Sequence, residues 1–129
     1  MKQLLYVLLL LPTLALAQAK NAYEHTMTRF TTFYNNGQAD SIRDMFSDEW
    51  GAAKAKLWTA AKNAELRDQY GKITSWTYLG MPPDDDVQVF KVVCEKSTHA
   101  ASMTLDNNKQ KIGTFRFRTT SDEIEKMLK

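Results

Sequence analysis

"ELRDQYGKITSWTYLG", residues 65–80, contains the change of hydrophobic period on which the fold turns. Up to Gly71 the chain is rich in Ala, Lys, Leu and Glu, and "GAAKAKLWTAAKNAELRDQY" (51–70) predicts the strongest helix of the sequence. Ala53, Leu57, Ala60, Ala61 and Ala64 are its expected small-residue face, with Lys54, Lys56, Lys62 and Arg67 elsewhere. Gly71 stops it, and from Lys72 onward apolar residues alternate, which is the signature of a strand. Ile73, Ser75, Thr77 and Leu79 fall on one side, Thr74, Trp76 and Tyr78 on the other.

Three more strands follow. "GMPPDDD" (80–86) breaks the chain, because two prolines remove backbone donors and three adjacent acids repel one another. "VQVFKVVCEK", "HAASMTLDN" and "KIGTFRFRTT" then read as strands joined by the turns 95–98 and 106–110. Connections this short favour antiparallel hairpins, so the expectation is a four-stranded meander. The strand from Val87 is apolar on both sides, with Val87, Val89 and Val93 opposite Phe90, Val92 and Cys94. Such a strand is buried on both faces. Its outer face is expected under a subunit, the C-terminal segment or a ligand.

Upstream of the long helix, Asn21 and Glu24 have capping-box spacing, and Tyr23, Met27, Phe30 and Tyr34 recur on one helical face with Phe33 at its margin. Threonines 26, 28, 31 and 32 weaken this helix, and "NNG" (35–37) ends it. A second short helix places Ala39, Ile42, Met45 and Phe46 inward while Asp40, Arg43, Asp44 and Asp48 face water. At the far end Thr120 and Glu123 form a capping pair before the apolar stripe Ile124, Met127 and Leu128.

The first residues, "MKQLLYVLLLLPTLALAQAK", combine Lys2, an apolar run from Leu4 to Leu11 and small residues at Ala15 and Ala17. This predicts a signal peptide over 1–17 and a single domain over 18–129, placed in a periplasm or secreted. The run is shorter than the roughly 20 residues a bilayer requires, so no membrane span is expected. Without Lys2 the domain has 16 basic and 15 acidic side chains, a balance that makes no electrostatic case for nucleic acid. Arg116 and Arg118 do alternate with Phe115 and Phe117, but that places charge and stacking surface on opposite faces of a strand.

Little in the sequence suggests catalysis. His25, His99 and Cys94 are the only histidines and cysteine, with no metal-ligand spacing among them, and no catalytic residue, metal or cofactor is assigned. The single Cys94 excludes an intrachain disulfide and is expected buried and inert. What remains is a pocket between helices and a curved sheet, for which Tyr23, Phe30, Tyr34, Trp58, Trp76, Tyr78, Phe90 and Met103 are the large candidate lining groups. Trp50, at a junction, is expected to be more exposed than Trp58.

Helices followed by a four-stranded meander, with "FTTFYNNGQADSIRDMFSDEW" (30–50) and "KIGTFRF" (111–117), resemble the nuclear-transport-factor-2-like superfamily of cystatin-like fold, in particular its small secreted bacterial members. The resemblance implies an α+β domain whose N-terminal helices pack on a curved four-stranded antiparallel sheet to form a cone. It also implies a possible homodimer through the outer sheet face. Family members include isomerases, hydratases, transport adaptors and binding domains, so fold alone does not choose. The reading that fits these residues is a noncatalytic exported domain for a small apolar ligand or a protein partner. The alternative is a small lyase or isomerase using an interior carboxylate with Tyr34 or Tyr78.

Overall fold

The computed structural model describes residues 20–48, 52–83, 86–106, 108, 111–117 and 122–129. The expected signal peptide, Trp50, Arg118 and the Thr120 cap lie outside the described residues. Within them run α1 (20–35), α2 (Ala39–Arg43), α3 (Ala52–Leu57), α4 (Ala60–Tyr70), β1 (Ile73–Gly80), β2 (Gln88–Cys94), β3 (Thr98–Leu105), β4 (Ile112–Phe117) and α5 (Asp122–Leu128).

α1 buries the face its spacing predicts: Tyr23, Met27, Phe30 and Tyr34 are buried and Phe33 is partly so. Three of its four threonines bond back to the helix, Thr26 to the Ala22 carbonyl, Thr28 to Glu24 and Thr32 to Thr28, whereas the buried Thr31 hydroxyl makes no such bond. Asn21 is no cap, because the helix already includes residue 20 and Glu24 pairs with Lys20 at 3.7 Å. At the other end Gly37 takes φ +69°, and the Gln38 N–H reaches the Phe33 carbonyl at 2.8 Å. Asn35 then ties the helix to the sheet. Its amide donates to the Ile73 carbonyl at 2.9 Å and accepts from the Ile73 N–H at 2.8 Å.

The single helix expected over 51–70 is two. Thr59 interrupts it with an extended backbone and caps α4 by accepting the Lys62 N–H. The break resets the helical phase. Asn63, Leu66 and Tyr70 face the core, whereas Ala60 and Ala61 are exposed, Ala64 is half-buried and Leu57 is 66% exposed.

All four strands pair antiparallel in the order β1-β2-β3-β4. This corrects the expectation of a curved, cone-like sheet. The sheet is neither curled nor closed: β1 and β4 are its two edges, and they do not pair. Its register irregularities, at Ile73/Ser75, Tyr78/Gly80 and Thr104/Leu105, are local. The volume a cone would enclose is occupied, since Met27, Phe30 and Tyr34 share one cluster with Phe90, Met103 and Phe115, each at most 3% exposed. With the cone falls the structural basis of the nuclear-transport-factor-2-like and cystatin-like label. The first irregularity also moves Ile73 into the cluster that holds Trp76 and Tyr78, across from the side its alternation predicts.

The doubly apolar β2 finds its second cover in α5. Ile124 packs with Val89 and Ala100, joined by Leu79, Val87, Met127 and Leu128. Seven residues cannot hold a helix by propensity, so this contact holds α5. Ile124→Asp is expected to release α5 and uncover Val89 and Ala100. The readouts are a lower unfolding midpoint and concentration-dependent self-association in sedimentation; unchanged values for both would contradict the docking.

Candidate functional site

Five of the eight candidate lining residues, Tyr23, Phe30, Tyr34, Phe90 and Met103, fill the interior at 5% exposure or less. Trp76 and Tyr78 are partly buried on β1 and pack edge-on against Phe90, with ring centroids 5.4 and 5.3 Å away. These seven behave as core. Of the eight, Trp58 lines a recess.

That space is an apolar cavity of about 290 Å³ between the α3–α4 junction and β4. Trp58, Phe46, Phe115 and Phe117 line it with Leu57, Leu66, Tyr70 and Lys62. The local sequence explains the arrangement. Thr59 ends one helix and starts the next, which leaves Trp58 in the break, its ring edge-on to Phe30 at 5.5 Å and to Phe115 at 6.0 Å. The indole is fixed by its one polar atom: Trp58 Nε1–H donates to Asn63 Oδ1 at 3.1 Å, and Asn63 Nδ2 donates to the Tyr34 carbonyl at 3.2 Å. Asn63 is fully buried, and its partners compensate that burial. Arg43 holds the other side of the break through the Trp58 carbonyl at 2.9 Å.

Sequence reasoning missed Phe46, Leu66, Tyr70, Phe115 and Phe117 as lining groups. Phe46, Phe115 and Phe117 are legible as inward, Leu66 and Tyr70 turn inward only through the break at Thr59, and only tertiary packing leaves a gap between them. The signal available was "LWT" (57–59), an apolar pair directly before a capping residue inside an otherwise unbroken helical composition.

On the other side of Phe46 lies a wider polar cleft of about 1110 Å³, bordered by Asp44, Asp48, Asp86 and Asp106 and by Arg43 and Lys111. The two cations are engaged locally. Lys111 Nζ donates to the Asp44 carbonyl, and Arg43 pairs with Asp40. No group of three or more His, Cys, Asp or Glu side chains among the described residues is placed to hold a metal ion.

The groups considered for chemistry are spoken for. Burial, then Cys94, pushes the Tyr34 hydroxyl up to about 12, against the smaller opposing effect of Arg67, and it donates to the Gly71 carbonyl at 3.0 Å. Burial raises Tyr78 as well, followed by Tyr23 and Glu24, and its hydroxyl donates to Gln88 Oε1. Cys94 is a buried free thiol whose pKa is raised by burial and then by Glu95, a direction that disfavours the thiolate. His25 is exposed, whereas His99 is buried, its Nε2 2.6 Å from the Ser97 hydroxyl and its ring 4.2 Å from that of Tyr70. Every Asp and Glu whose side chain is described is exposed or half-buried, so none is placed inside the core.

The Tyr34 shift has a pH consequence. Its folded value lies above the ordinary 10.0, so the unfolded chain loses this proton first as pH rises. The stabilisation is therefore complete below pH 10 and is lost as pH climbs from 10 towards 12. Tyr34→Phe is expected to flatten that alkaline limb in urea unfolding measured against pH; an unchanged slope would contradict it.

Against these features, no family model, no curated protein and no solved structure matches the chain.

Proposed function

We propose that this protein is an exported, noncatalytic binding domain that takes a small apolar ligand in the cavity beside Trp58. The observation that carries the reading is the cavity itself, about 290 Å³ and lined by seven apolar or aromatic side chains. Ligand sites are mostly apolar recesses upward of roughly 300 Å³, and this one lies just under the lower bound of that range. Three of its lining residues, Trp58, Phe46 and Phe115, belong to the packed core. Export rests on the charged start, apolar run and small residues of positions 1–17. Among the described residues no helix is long and apolar enough to cross a membrane.

Self-association through the outer sheet face is the second reading. It requires α5 to move or to join the contact, since Ile124 already occupies that face. The lyase or isomerase alternative needs an interior carboxylate, and the acids described lie at the surface or half-buried.

The test is a titration with N-phenylnaphthylamine, a neutral apolar dye, followed by fluorescence. Leu57 lines the mouth yet is 66% exposed, so Leu57→Glu adds a charge there without disturbing the core. The variant is expected to weaken dye binding about tenfold, the effect of roughly 1.4 kcal/mol, with its unfolding midpoint unchanged. Equal affinity in both proteins would remove the cavity as the site.

A further inference from the structure

We infer that the ligand of this cavity is an amphiphile, a small carboxylic acid whose apolar body fills the recess and whose anionic head meets Lys62 at its mouth. The inference rests on the apolar-ligand reading and adds the head group. Seven lining residues have no charge, and Lys62 is the single charged member of the lining among the described residues.

The placement of Lys62 is informative. It stands in the first turn of α4, where a cation opposes the helix dipole, and no acidic residue shares that turn to offset it. Its backbone is fixed by the Thr59 cap, whose hydroxyl accepts the Lys62 N–H at 3.1 Å, so the root of the side chain has a set position beside the cavity. The ammonium has one partner recorded in the structure, Glu65 at 3.5 Å, and both side chains are about half exposed or more, at 47% and 64%. A pair that solvated is weak and readily exchanged for another carboxylate. An incoming acid thus gains a cation while its apolar part leaves water. A neutral ligand of the same shape gains only the second effect, and a cationic one is repelled.

The probes are phenylbutanoate and its neutral analogue phenylbutanamide, compared by calorimetric titration at low ionic strength. The acid is expected to bind about fivefold more tightly, the size of one partly solvated charge pair. That preference is expected to vanish in Lys62→Gln and to return in Lys62→Arg. It should persist in Lys56→Gln, because Lys56 is exposed on α3 and absent from the lining. Added salt should shrink it. Equal binding of acid and amide to the unaltered protein would overturn the head-group inference and leave the apolar-cavity reading intact. A preference surviving Lys62→Gln would overturn the role of Lys62. Failure of both probes to bind would overturn inference and reading together.

Discussion

Phe30→Ala is expected to destabilise the folded protein by about 3–5 kcal/mol, the range for truncating a fully buried phenylalanine. Phe30 is 0% exposed and joins the helical layer to the sheet, with ring centroids 4.9 Å from Phe115, 5.5 Å from Trp58 and 6.0 Å from Tyr34. A domain of this size has only about 5–15 kcal/mol in total, so the loss is a large share of its stability. The vacated volume also borders Trp58, and the cavity loses the ring against which the indole rests. Urea unfolding measures the effect, with Phe33→Ala, a half-buried neighbour on the same helix, as the reference. A cost for Phe30 no larger than that for Phe33 would contradict the core assignment.

Gly71→Ala is expected to cost about 2–4 kcal/mol, combining left-handed backbone strain with an overpacked contact. Gly71 has φ +81°, and a Cβ there would stand 2.7 Å from the Glu95 Cβ. Glu95 cannot easily yield, because its carboxylate accepts the Lys72 N–H at 2.7 Å and its own N–H donates to the Lys72 carbonyl at 3.0 Å. The Gly71 carbonyl also receives the Tyr34 hydroxyl. Gly80→Ala separates the two contributions. Gly80 has φ +97° with no atom within 4 Å of an added Cβ, so it bears the backbone strain alone, about 1–2 kcal/mol. Equal losses at the two glycines would show that the Glu95 contact relaxes freely.

These two positions also mark what a sequence can and cannot reveal. Period alone identifies the buried face of α1, because Tyr23, Met27, Phe30 and Tyr34 obey one spacing and meet one sheet. It identifies the inward side of α2 and the shared faces of β2, β3 and β4 for the same reason, whereas the irregularity after Ile73 defeats it at the start of β1. It also shows that β2 needs covers on both faces, although choosing α5 over a subunit or a ligand required the packing of Ile124 on Val89 and Ala100.

Curvature was not legible. Alternation reports which side chains share a face, whereas the bend of a sheet depends on register and bulges, which no local pattern encodes. The break at Thr59 was hidden by composition, since alanines and lysines on either side favour helix whether or not a cap interrupts them. The missed break then shifted the expected face from Asn63, Leu66 and Tyr70 to the alanines. The candidate site follows the same division. Trp58 was recognisable as a large side chain beside the core, but a cavity is a property of what its neighbours fail to fill, and Phe46, Phe115 and Phe117 come from distant parts of the chain.

The most direct test of the apolar cavity is a crystal of the protein soaked in bromobenzene, with the bromine located by its anomalous signal. The expected result is one ordered bromine between Trp58, Leu66 and Phe115, with the surrounding core unmoved. A cavity closed by its own side chains, or bromine found only elsewhere, would contradict the account.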